Sequence, residues 1–306
     1  MTEPRLWAVV GATGTGKTAL SLDLAERLER EVRGAEVVNA DAMQFYRGMN
    51  IGTAKLAQEE QRDIAHHLFD ALDVTDEATV AWYQPAARRR IEEIHSRGRD
   101  AILVGGSGLY VSSVLFDLQF PPRDEALRAE LEGDLERGGV ESLLARLRAL
   151  DATAASEVDA RNPRRVVRAL EVALLGAAAQ VTLPQAPKLW HDHTRVLGVT
   201  CERATLVKRL DARVEEMWAS GLVAEVRDLV PLGIEQGKTA SRAIGYQQAL
   251  AQLRGELSER QAIEETQALT RRYARRQVSW FKRYADVHWF DASDSAPDVA
   301  KVETAS

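Results

Sequence analysis

Apolar residues along this chain change period several times, and each change marks an element. Leu6-Trp7-Ala8-Val9-Val10 is an unbroken apolar run of strand length; Leu20, Leu24 and Leu28 then recur every fourth position, as on one helix face. Similar runs at 35–40 and 101–105 predict two more strands, with 67–72 a further candidate and 195–200 a later one. Between 82 and 97 a helix is predicted, with Ile91 and Ile94 on its apolar side and Arg88, Arg89 and Arg90 on its polar side. Short strands alternating with helices predict an α/β fold with a mainly parallel sheet.

The pattern then changes. Pro121-Pro122 breaks the chain, and Leu127, Leu131, Leu135, Leu143, Leu144, Leu147 and Leu150 follow at helical spacing. No strand signal returns until about 195, so 121–180 reads as an all-helical insertion, closed by a Pro- and Ala-rich loop over 177–193. From Leu206 through Leu210, Val214 and Met217, and again from Leu269, the periodicity is helical. The expected organisation is a core in two parts, 1–120 and 181–291, around the insertion, with a flexible tail at 292–306.

Composition narrows the class. At 306 residues, 45% hydrophobic and 28% charged, the chain has the mix of a soluble globular protein with a real core. No apolar run reaches membrane-spanning length and no signal-peptide pattern opens the chain, so a cytoplasmic protein with no membrane partner is expected. The single cysteine, Cys201, excludes an intramolecular disulfide and cysteine-based zinc or iron–sulfur sites. With a net charge of −6, any nucleic acid must be held by local basic patches.

Candidate chemistry starts at Gly11-Ala12-Thr13-Gly14-Thr15-Gly16-Lys17-Thr18, a complete G-x-x-x-x-G-K-[ST] phosphate loop between the first strand and the first helix. Its backbone N–H groups would cradle phosphates at a helix N-terminus, Lys17 would reach the terminal phosphates and the Thr18 hydroxyl would ligate Mg²⁺. The predicted fold is thus a P-loop NTPase- or kinase-like parallel sheet core with an all-helical insertion domain.

Asp41 ends the second strand, facing the crevice, as a Mg²⁺-shell carboxylate, a base aimed at the acceptor, or a turn cap. The third strand ends in Gly105-Gly106-Ser107-Gly108 where a motor ATPase would carry an acid, which suits a substrate channel better than a water-activating site. Two arginine runs lack acids, 161–168 and 271–283; each alone reads as a solvated basic face, and together on an acidic chain they point to a polyanion. Arg242, before Gly245-Tyr246, is either a surface residue or a guanidinium folded onto the phosphates.

The ordered set GATGTGKT, DAMQFYRGMNIGTAK, HHLFD, LVGGSGLY, NPRRVVRALE, RAIGY and TRRYARRQVSWF resembles the bacterial tRNA dimethylallyltransferases (tRNA isopentenyltransferases) over roughly residues 5–290. That resemblance implies transfer of a dimethylallyl group from dimethylallyl diphosphate to N6 of adenosine 37, beside the anticodon, in tRNAs reading codons that begin with U, with Mg²⁺ required. It implies catalytic roles for Asp41, Lys17 and Arg242 and diphosphate binding by Gly11, Ala12, Thr13, Gly14, Thr15, Gly16, Lys17 and Thr18. It also implies contacts to the tRNA anticodon stem-loop from Asp41, Ala42, Met43, Gln44 and Ser107. Arg164, Arg165, Val166, Val167 and Arg168 join them, with Arg275 and Arg276. A monomer is expected. The competing expectations are a dimethylallyltransferase acting on free AMP or ATP, and a P-loop kinase for a nucleotide or small molecule.

Overall fold

The computed structural model describes residues 3–118, 120–176, 188–295 and 297–302, and it divides into two compact units: Met1–Asp117 with Lys188–Ser306, and Leu118–Pro187. The loop expected at 177–193 lies mostly outside the described residues.

In the first unit, β1 (Leu6–Gly11), β2 (Ala35–Asn39), β3 (His66–His67), β4 (Asp100–Gly105), β5 (Thr194–Thr200) and β6 (Val287–Asp291) form one sheet. Their order is β3-β2-β4-β1-β5-β6, and every neighbouring pair is parallel. β1 is buried along its whole length, as a strand flanked on both sides and covered on both faces must be. Because successive side chains alternate, Trp7 and Val9 share one face, where they meet Leu20, Leu24 and Leu28 of helix α1 (Lys17–Glu31). Helices α2 (Val80–Ser96) and α3 (Gly108–Leu115) complete the first stretch of this unit.

The second unit consists of α4 (Glu125–Leu150), α5 (Ala152–Glu157) and α6 (Pro163–Leu174), with no strand among its described residues. Gly139, at φ 70° and ψ 175°, breaks α4 into two limbs. Leu131, Leu143, Leu144 and Leu147 pack against Val166, Val167 and Leu170 to form its core. Glu171, fully buried, receives Arg128 Nη1 at 3.0 Å, Arg168 Nη1 at 2.9 Å and the Asp124 amide at 3.1 Å. A carboxylate at such depth persists only because it is paired on every side.

The chain returns to the first unit through β5, α7 (Arg203–Ala219), α8 (Leu222–Leu229), α9 (Tyr246–Leu253) and α10 (Glu259–Phe281). Among the described residues no helix is long and apolar enough to cross a membrane.

Three expectations need correction. The strand candidate 67–72 joins the sheet only at His66–His67, with Leu72 making an isolated parallel bridge to Tyr46, because Leu68 and Asp70 adopt positive φ (64° and 51°) and leave the extended geometry. No strand is expected at the end of the mostly helical second core part, yet β6 forms there as an edge strand, with His288 and Trp289 exposed and a weak apolar signature. The segment expected to be a flexible tail is packed over its described part: Ala292 and Val302 are buried in the sheet–α1 core. Arg27 Nη1 donates to the Val299 and Val302 carbonyls at 2.6 and 2.8 Å. Residues 303–306 lie outside the described set.

Candidate active site

The phosphate loop leaves β1, Asp41 follows β2, and Gly105-Gly106 ends β4. The register pairs Val10 with Gly105 and Asn39 with Val104, so the three strand ends are level and open on one crevice. Gly16 takes the left-handed conformation (φ 95°), which lets α1 start at Lys17 with its amides directed to the loop. Thr15 Oγ1 and Lys17 Nζ both donate to the Ala12 carbonyl, at 2.8 and 2.7 Å, so the lysine is folded back onto its own loop. Burial, with the nearby Arg213 cation and against the pull of Asp41, lowers its pKa to about 8.

Asp41 is fixed from both sides. Its amide donates to Asn39 Oδ1 at 2.9 Å, and its own Oδ1 accepts from the Met43 amide at 3.1 Å, capping the short turn Ala42–Phe45. The cap expected as one alternative is therefore real, and it orients the carboxyl rather than consuming it. Burial raises the Asp41 pKa above the ordinary carboxylate value, opposed by the Met43 hydrogen bond and the charges of Lys17 and Arg213.

Two cavities meet here. A pocket of 210 Å³ is lined by Thr13, Gly14, Gly16, Lys17 and Thr18 with Asp41, Gln44, Gly106 and Arg213. A larger cavity of 540 Å³ includes Ala42, Met43, Ser107, Tyr110, Met217, Arg242, Tyr273 and Arg276 in its lining. Thr13, Asp41, Thr53 and Arg213 line both. The first is polar and phosphate-sized; the second has the apolar and aromatic walls of an organic substrate site.

Arg213 was missed by sequence reasoning. Its Nη1 donates to Thr13 Oγ1 at 3.3 Å and its Nη2 reaches the Thr53 carbonyl at 3.5 Å, with burial lowering its pKa. The signal was present: Leu206, Leu210, Arg213 and Met217 follow a helical stripe, so a cation interrupts an apolar face of α7. Arg242 corrects the expectation in the other direction. It is exposed and lines only the larger cavity, whereas Arg213 lines the phosphate-loop pocket as well.

The expected RNA contacts separate into groups. Ala42, Met43 and Ser107 line the larger cavity, Gln44 lines the smaller one, and Arg276 stacks over the Tyr273 ring at 5.8 Å while lining the larger. Arg275 is exposed on α10. In the second unit Arg164 and Arg165 are exposed, but Val166 and Val167 are core residues whose side chains are buried, at 0% and 2%. Arg168 is committed to Glu171 and to the carbonyls of Pro121 and Pro122. Arg271 likewise pairs with Asp211, so neither run is as free of acid in space as in sequence.

Residues 44–284 match the IPP transferase family. The chain belongs to that family. Among its relatives, a tRNA dimethylallyltransferase from Clavibacter sepedonicus is 60% identical over 94% of this chain and 93% of its own length. One from Leifsonia xyli is 62% identical over 82% and 96%. The solved full-length tRNA isopentenylpyrophosphate transferase of Bacillus halodurans is 39% identical, with a TM-score of 0.68 over 95% of this chain and 91% of that one. A eukaryotic dimethylallyltransferase solved acting on tRNA superposes with a TM-score of 0.76 at 26% identity, over 95% and 75%. The P-loop core and the transferase class read from the sequence agree with this membership.

Proposed function

We propose that this chain transfers the dimethylallyl group of dimethylallyl diphosphate to N6 of adenosine 37 in tRNAs reading codons that begin with U, releasing diphosphate. The observation that carries the reading is the position of Asp41 on the wall common to a phosphate pocket and an organic-substrate cavity, in a family whose relatives bear that activity's name. Adenine N6 is a weak nucleophile, its lone pair delocalised into the ring. As N6 attacks C1 of the allyl group, the C1–O bond breaks, its electron pair goes to the diphosphate, and the N6 proton passes to the Asp41 carboxylate. Lys17, Arg213 and the loop amides take up the charge that develops on the leaving group. An adenosine inside an anticodon loop must leave its stack to reach Asp41, and the cavity bounded by Met43, Ser107 and Tyr273 has the walls to receive it.

The donors also fit Mg²⁺. Among the described residues no group of three or more His, Cys, Asp or Glu side chains could hold a metal ion by itself, which suits an ion carried chiefly by substrate oxygens and water. Thr18 is the side chain that would hold it, and its chemistry would be charge neutralisation on the diphosphate. The same reading has the chain acting as a monomer in the cytoplasm.

The test is transfer of labelled dimethylallyl diphosphate to an unmodified tRNA, to the same tRNA with guanosine at position 37, and to AMP. Label in the first alone is expected. Comparable label in AMP would overturn the tRNA reading, and phosphoryl transfer from ATP to a small acceptor in place of prenylation would favour a kinase.

A further inference from the structure

Helix α10 holds the active-site loops through one stripe of side chains. Tyr273 Oη lies 3.2 Å from Ser107 Oγ, and Trp280 Nε1 donates to Ser112 Oγ at 3.0 Å. Between them sits Gln277, one turn from each and 4% exposed. Its Oε1 accepts from the Thr13 amide at 2.9 Å, and its Nε2 donates to the Gly106 carbonyl at 2.8 Å. Oxygen to an N–H and nitrogen to a carbonyl leave one orientation of the amide, so the bridge is directional. Its two ends are not core positions. Thr13 lines both cavities, while Gly106 lines the phosphate pocket and its neighbour Ser107 lines the larger cavity. A Cβ on Gly106 would stand 2.3 Å from Gln277 Nε2, so a side chain there would have to displace the glutamine amide.

We propose that Gln277 is a positioning residue of the transfer reaction, clamping the phosphate loop at Thr13 to the channel wall at Gly106 so that the diphosphate cradle and the acceptor cavity keep a fixed separation. This rests on the reading above that the two substrates meet at Asp41. An in-line displacement is sensitive to that separation, because the attacking and leaving atoms are held by different loops. The Gln277 amide itself is buried, so losing it removes the one direct tie it makes between the two edges of the reacting centre.

The test uses Gln277→Met, of similar length but without hydrogen bonds, and Gly106→Ala, which displaces the same amide from the other side. For Gln277→Met, kcat is expected to fall about tenfold at saturating tRNA and the KM for dimethylallyl diphosphate to rise several-fold. Affinity for an anticodon stem-loop should stay within about twofold. The double variant should lose no more than the worse single one, because both remove one bridge. A lowered melting temperature with unchanged kinetics per folded molecule would make Gln277 merely structural and overturn the proposal. So would additive losses, or a loss confined to stem-loop affinity, which would make it an RNA contact. Prenylation by the unsubstituted chain is measured first; its absence overturns the proposed function, a result distinct from a defect confined to the variants.

Discussion

The two walls of the site are built differently. The strand-end wall comes from three stretches, 11–18, 41–44 and 105–108, each continuous in sequence at the end of a strand. The helical wall is assembled from single side chains, with Arg213 on α7, Arg242 in the turn Ala240–Arg242, and Tyr273, Arg276 and Gln277 on α10. A contiguous loop carries its function in local spacing, whereas a helix donates one residue per turn and its meaning depends on what that turn faces. On the proposed mechanism the strand-end wall would hold the proton acceptor and the phosphate amides, and the helical wall would supply charge and registration.

That division can be broken experimentally. The largest expected effect is on the strand-end wall: Asp41→Asn keeps the cap to Met43 but cannot take a proton, so turnover should fall ~10²–10⁴-fold with stem-loop affinity nearly unchanged. Near-normal turnover would reduce Asp41 to a turn cap. Next, Lys17→Ala and Arg213→Ala should each raise the barrier by about 2–4 kcal/mol and weaken inhibition by diphosphate. Arg242→Ala should cost less than Arg213→Ala, and parity between them in kcat would return Arg242 to the phosphates.

The pH profile of kcat/KM sharpens the same picture. Since transfer needs Asp41 deprotonated and burial raises its pKa, the acid limb should lie above the usual carboxylate range. Lys17 loses its proton at about 8, so the alkaline limb should fall near there and vanish in Lys17→Ala. The smallest effects concern RNA. Arg164→Ala, Arg165→Ala and Arg275→Ala should each flatten the salt dependence of tRNA binding by somewhat under ~1 unit of log–log slope. Arg168→Ala should leave the slope alone and instead cost about 1.5–3 kcal/mol of stability, read in thermal melts, because it undoes a bond to buried Glu171. An unchanged slope in the first three would make those residues a solvated face.

What the sequence made legible follows the same division. The phosphate loop, Asp41 and the helical character of 121–174 could be read because a motif or a period of 3.6 lies along the chain itself. Arg213 could not be assigned, because only the fold brings α7 to Thr13. The arginine runs were over-read for a related reason: Asp211 lies 60 residues from Arg271, and Glu171 was hidden three residues beyond Arg168 in what looked like a basic segment. β6 and the packed residues after it carry little signal because their buried residues, Phe290, Ala292, Pro297 and Val302, are scattered among Asp and Ser with no period.

The strand order carries a consequence for how the molecule is made. By the time residue 105 has been synthesised, β3-β2-β4-β1 can already assemble, yet β1 then has no neighbour on its other side until β5 arrives at Thr194. At roughly 5–20 residues per second, the ribosome leaves that apolar edge uncovered for several seconds while the helical unit is being added. An uncovered central strand is a template for pairing with another nascent chain. Nascent fragments that stall within residues 118–193 should therefore be the ones that aggregate or recruit chaperones, and release through β5 should end that vulnerability.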